Sequence, residues 1–194
     1  MDAPVAPSVR QAPSAPRSRP WTRVGTVAVG AHILYELLAG VGMPLASRMG
    51  PRGAGALWAT STVAAYHQAG RQPASRDAVF SVLNGLYLSA VAAHFIAWPR
   101  TNKVGLPWLT ECEGLAGPVI APYNAILHVS GLAALGGLVE NRRAAPWGVL
   151  VPLVTVPWLL GLQHEEFRRL VVQAREHPGW WNRRLSGRGT RPGR

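Results

Sequence analysis

Four long apolar runs, separated by short polar breaks, organise this chain. Val24 to Ala46 (VGTVAVGAHILYELLAGVGMPLA) carries no Lys or Arg. At about 1.5 Å per residue it is long enough to cross a hydrocarbon layer of about 30 Å. Ala78–Trp98, Leu115–Val139 and Pro146 to about Leu162 are the other three runs. Between the first and second lies Ala54–Gly70, helical in composition but made polar by Thr60, Ser61, Thr62, His67 and Gln68. That stretch predicts an interfacial or partly inserted helix rather than a span. The pattern predicts an all-α polytopic membrane helix bundle of about four transmembrane helices plus that extra helix. Trp98-Pro99-Arg100 closes the second span with an interfacial Trp, a helix stop and a charge. Ser130, Gly131, Ala133, Ala134, Gly136 and Gly137 give the third small faces for close helix contact.

Composition sharpens this picture. Of 194 residues only 15% are charged, against about a quarter in soluble domains. The mean hydropathy of +0.08 is modest because both ends are polar. A net charge of +11 suggests nucleic acid as a partner, yet the basic residues sit in tails and short loops without any nucleic-acid motif. The positive-inside rule explains them better. Residues 1–23 read as a disordered basic segment without the apolar core of a signal peptide. Residues 24–166 read as the transmembrane helical domain, and 167–194 as a basic cytoplasmic tail that contacts anionic lipids. Four spans place both basic ends in the cytoplasm, in a multi-pass protein of the cell membrane; Arg48, Arg52, Arg71 and Arg76 run against that order. Cys112 is the single cysteine, which excludes an intramolecular disulfide and a CxxC site.

Polar residues inside the spans are the candidate chemistry. His32 and Glu36, four apart, share one helix face, and an intramembrane carboxylate is by default a functional candidate. In the four-span topology they lie roughly 12 and 18 Å in from the cytoplasmic end of the first span. His94 belongs to the cytoplasmic half of the second span, Asn124 and His128 to that of the third, and His164 to the mouth of the fourth. One histidine per span, biased to one leaflet, predicts a shared polar layer. A carboxylic acid desolvated there can deliver a proton to an alkene or epoxide. Aromatic faces then stabilise the carbocation. Glu36 is the expected acid, with His32 or His128 positioning or relaying the proton. Tyr35, Asn84, Tyr87, His94, Tyr123 and Asn124 are the expected substrate lining. Buried polar side chains in bundles also serve as plain interhelical hydrogen bonds, so each has a structural alternative.

Tyr35-Glu36 within an apolar helix resembles the aromatic-Glu pair of small integral-membrane terpene cyclases of meroterpenoid and indole-terpenoid pathways. His32-x-x-x-Glu36 is similar to the His/Glu pair of the emopamil-binding sterol isomerase family. The resemblance implies acid-catalysed cyclisation or isomerisation of an isoprenoid-like lipid, with no cofactor or metal. The second acid that such cyclases use in a late span has no counterpart at the right depth, Glu165 and Glu166 lying too near the end. No GxGxxG, Walker loop or DDxxD motif is present, which disfavours diphosphate ionisation. Two alternatives remain: a haem or metal protein using one histidine per helix, and a non-catalytic membrane subunit or small transporter.

Overall fold

A computed structural model describes residues 15–187. Five helices carry the fold: α1 Pro20–Ala39, α2 Ala46–Arg71, α3 Asp77–Ala97, α4 Ile120–Glu140 and α5 Ala145–Glu176. Two small antiparallel hairpins join α3 to α4, β1 Arg100–Lys103 with β2 Leu106–Leu109, and β3 Glu111–Cys112 with β4 Leu115–Ala116. Their turns hold Val104-Gly105 and Glu113-Gly114 at positive φ, the geometry of tight hairpin turns. Three helical stretches, Ala74–Ala97, Gly117–Glu140 and Arg142–Glu176, are long and apolar enough to cross a membrane. The last buries only 6% of its most apolar window and exposes Leu153, Val154 and Trp158. A contiguous apolar face of that kind marks a contact surface rather than a solvated one.

The first run departs from expectation. Its helix stops at Ala39, because Gly40 takes the left-handed conformation at φ 83°. Gly40 N–H donates to Leu37 O and Val41 N–H to Glu36 O, a Schellman motif that ends a helix. Glu36 therefore lies about 4.5 Å of helical rise from the helix end, not at mid-span. At its start α1 is capped from across the bundle: Glu140 accepts the Trp21 and Thr22 N–H groups at 3.0 and 3.1 Å. That carboxylate satisfies orphan donors at the positive end of the helix dipole.

The stretch expected at the interface is part of α2, a helix of 26 residues kinked at Gly50-Pro51. It packs along α1, from Trp58 Nε1 donating to Pro44 O to Arg19 Nη1 donating to Ala69 O. It is not one of the three stretches apolar enough to span. The five helices alternate in direction. Arg17 and Arg19 meet Asp77, at the head of α3, and residues 177–187 fold against the far end of α1 through Trp181 O and Arg184 N. Pro20 and Glu176 thus lie at opposite ends of the bundle, called here the Asp77 end and the Glu36 end. Three of the five helices carry a stretch apolar enough to span, and α1 and α2 are not among them.

Both terminal segments pack on the bundle. The lead-in to residue 23, expected to be disordered, is ordered from Ala15; residues 1–14 lie outside the described residues. Arg19 is completely buried, donating to Asp77 Oδ1, Asn141 Oδ1 and the carbonyls of Ala69, Gln72 and Pro73. In the basic tail, Arg183 and Arg184 donate to Leu38 O and Ala39 O at 2.9 and 2.8 Å, satisfying the last carbonyls of α1. Residues 188–194 are outside the described residues.

Candidate functional site

At the Glu36 end, α1, α3 and α4 bring four buried polar side chains into one cluster. His32 and Glu36 sit one turn apart on α1, so their side chains stack. His32 Nε2 lies 2.9 Å from Glu36 Oε1. From α4, the Tyr123 hydroxyl donates to the same oxygen at 2.5 Å and lies 3.1 Å from His32 Nε2. From α3, His94 Nε2 approaches Oε1 to 3.7 Å. Only 1% of Glu36 and 3% of His32 is exposed. The His32 and His94 rings meet edge to face with centroids 4.7 Å apart.

The protonation pattern of His94 follows from its partners. Its Nδ1 lies 2.7 Å from the carbonyl of Ala90, which can only accept, so Nδ1 holds a proton and Nε2 is the nitrogen that faces Glu36. The Gln163 amide from α5 packs against that ring, its nitrogen 3.1 Å from Nδ1. Two atoms of the cluster are buried without any hydrogen-bond partner, His32 Nδ1 and Glu36 Oε2. Buried polar groups are seldom left so, and each such atom calls for an explanation.

The hairpins close the site from outside. Cys112 Sγ lies 3.8 Å from the Tyr123 hydroxyl. Burial, reinforced by the charges of Glu113 and Glu36, pushes the Cys112 thiol well up, so it is an unreactive thiol rather than a nucleophile. Burial and the nearby Glu36 charge push Glu113 up to about 8. Asn124 fastens this cover: its amide accepts from Leu109 N–H at 2.8 Å and donates to Leu109 O at 3.0 Å and Ile120 O at 2.9 Å. All its polar atoms are used on backbone, so it is a staple rather than a substrate ligand.

The expected site residues therefore divide. His32, Glu36, His94 and Tyr123 come together. Tyr35 is adjacent, its ring 6.0 Å from that of Tyr123 and its hydroxyl donating to Val119 O at 2.7 Å. His128 belongs elsewhere: its Nδ1–H donates to Asn124 O and its ring stacks on Trp108 at 5.8 Å. Its expected proton-relay role has no contact with Glu36 to rest on. Asn84 and Tyr87 are committed toward the Asp77 end, Asn84 Nδ2 donating to Thr22 Oγ1 and Phe80 O, and Tyr87 paired with Thr26. His164 is exposed and stacks on Trp98. The neighbours Cys112, Glu113 and Gln163 are additions that the sequence pattern does not single out. For Cys112 and Glu113 the one local signal is the Cys-Glu-Gly turn between two short strands; Gln163, on α5, has none.

One oxygen of Glu36 and a ring nitrogen each from His32 and His94 all lie within 4.8 Å of one another. A tetrahedral centre with metal–ligand distances near 2.0–2.1 Å separates its ligand atoms by about 3.3 Å. The observed separations of the Nε2 atoms from Oε1, 2.9 and 3.7 Å, fall on either side of that figure. The two imidazoles meet edge to face with centroids 4.7 Å apart, closer than a haem ligated between them would hold them. No family model matches the chain, and neither a curated protein nor a solved structure matches it.

Proposed function

We propose that this is an integral membrane enzyme acting on an apolar, isoprenoid-like lipid, and that its reaction centre is a divalent transition-metal site. His32 Nε2, Glu36 and His94 Nε2 are the ligands. The observation that carries the reading is the convergence of three buried ligand atoms from two helices, within 4.8 Å of one another. The second shell supports it. Ala90 O accepts the His94 Nδ1 proton and leaves Nε2 as the nitrogen that could bind metal, a recurrent arrangement around ligating histidines. A two-histidine, one-carboxylate set suits zinc or non-haem iron and leaves an open position. Tyr123, 2.5 Å from Glu36 Oε1, would be the proton donor or acceptor nearest the metal.

The test is metal content of the purified full chain after loading with zinc or ferrous iron and desalting. The wild type and His128→Ala should each hold about one ion per chain, as a three-ligand site does. His32→Ala, Glu36→Gln and His94→Ala should hold far less. A wild type that comes through loading empty sinks the metal reading.

The unpartnered Glu36 Oε2 favours a second reading, in which Glu36 is the proton donor expected by resemblance to membrane cyclases and isomerases. Under that reading the wild type binds no metal. It converts a prenyl substrate or its epoxide to an isomer of unchanged mass, and Glu36→Gln does not. Placement in the cell membrane, with the Glu36 end on the cytoplasmic side, is part of the proposal: Arg168, Arg169, Arg175, Arg183 and Arg184 lie at that end.

A further inference from the structure

A groove of 620 Å³ runs along the outside of the bundle between α1, α2 and α4, remote in its chemistry from the polar cluster. Its walls are Val24, Val27, Ala28 and Ala31 from α1 with Ile126 and Val129 from α4, apolar throughout. At the Asp77 end stands Arg23. Its guanidinium lies 4.0 Å above the Tyr66 ring, and its Nε is buried without a hydrogen-bond partner. The carboxylates at that end are already engaged: Asp77 pairs with Arg17 and Arg19, and Glu140 caps α1 at Trp21 and Thr22. Arg23 has no ion-pair partner among the described residues.

We propose that this groove seats one acyl chain of an anionic phospholipid, with the headgroup phosphate on Arg23. Length and charge both select that occupant. Arg23 to Ala31 spans about 12 Å of helix, close to the half-thickness of a hydrocarbon layer of about 30 Å. A chain entering at Arg23 therefore reaches about as deep as one leaflet allows. The Arg23 end is marked as an interface by Arg142 and Arg143, both exposed just beyond the end of α4. A guanidinium with free donors there matches a phosphate, and the stem of Arg23 lies along apolar surface in the manner of a snorkelling side chain. The assignment is independent of the metal centre.

The experiment purifies the full chain in detergent with equimolar phosphatidylglycerol and phosphatidylcholine, then quantifies retained lipid by mass spectrometry. The wild type should retain phosphatidylglycerol over phosphatidylcholine by about fivefold, the effect of one basic residue at an anionic headgroup. Arg23→Gln should bring the ratio to that offered. Ala31→Trp fills the groove from an exposed position, and should lose most of the retained lipid of both kinds. The double substitution Arg142→Gln/Arg143→Gln, at the same end but off the groove, should keep the preference. Equal retention of the two lipids by the wild type overturns the proposal. So does full retention by Ala31→Trp, or loss of preference in the Arg142/Arg143 variant as large as in Arg23→Gln.

Discussion

Asp77→Asn isolates the buried ion pair that ties the N-terminal segment to α3. Asp77 Oδ1 accepts from Arg19 Nη2 at 2.8 Å and Nε at 3.3 Å, and Oδ2 pairs with Arg17. The substitution keeps the shape and removes the charge. Arg19, 0% exposed, then keeps its neutral acceptors on Asn141, Ala69, Gln72 and Pro73 but loses its anion. Breaking a buried pair from one side costs about 3–5 kcal/mol, because the remaining charge stays buried. The neutral acceptors still solvate the guanidinium, so the lower end, about 3 kcal/mol, is expected. The Arg17 side chain is 37% exposed, so its share is screened and small, about 0–1 kcal/mol. For a domain of this size about 2–4 °C follow each kcal/mol, giving a fall in Tm of about 6–12 °C. Tryptophan fluorescence during thermal unfolding in detergent reads it directly. Arg17→Gln should lower Tm by about 4 °C at most. A fall below about 2 °C for Asp77→Asn, or equal effects of the two variants, refutes the reasoning.

Three further outcomes are expected. Gly148→Ala should destabilise by about 1–3 kcal/mol through overpacking: the new Cβ would stand 2.3 Å from Ser81 O and 2.4 Å from Leu138 Cδ2, and a thermal shift measures it. Glu113 gives a pH dependence of defined sign. In the metal-free chain the folded state keeps its proton to about pH 8 while the unfolded chain releases it near 4.5. The folded state therefore binds more protons between those values, and stability falls as pH rises through that window. Glu113→Gln should flatten this part of a Tm-against-pH curve, and an unchanged slope would falsify the assignment. Gly40→Ala should cost about 1 kcal/mol, because a side chain meets a penalty at φ 83°. A Tm equal to wild type would mean that the end of α1 does not need this conformation.

How much of this was legible along the chain differs by element. The apolar runs at 78–98 and 146–162 and the part of the 115–139 run from Ile120 became α3, α5 and α4, because a long apolar run must hydrogen-bond its own backbone, while Leu115–Ala116 pair in a hairpin instead. The i, i+4 spacing alone paired His32 with Glu36, since helix geometry decides which side chains stack. The helix stop at Gly40 was written locally too, but Gly also occurs inside apolar helices. Only the Schellman bonds and the tail arginines on Leu38 O and Ala39 O distinguish the two cases.

The chain by itself determined the helical class, the apolar faces and the His32–Glu36 pair, all of which rest on periodicity and composition within one segment. Tertiary structure decided the rest, because the deciding partners are distant in sequence. Glu36 meets Tyr123 across 87 positions, and Arg19 meets Asp77 across 58. An arginine in a Pro/Ser-rich segment carries no local mark of burial; it becomes core only when an aspartate, an asparagine and backbone carbonyls converge on it. His94 and His128 look equivalent along the chain, each in an apolar helix. Helix rotation about the bundle turns one toward Glu36 and the other onto Trp108. Which histidine belongs to the site is thus a property of packing, which no single segment contains.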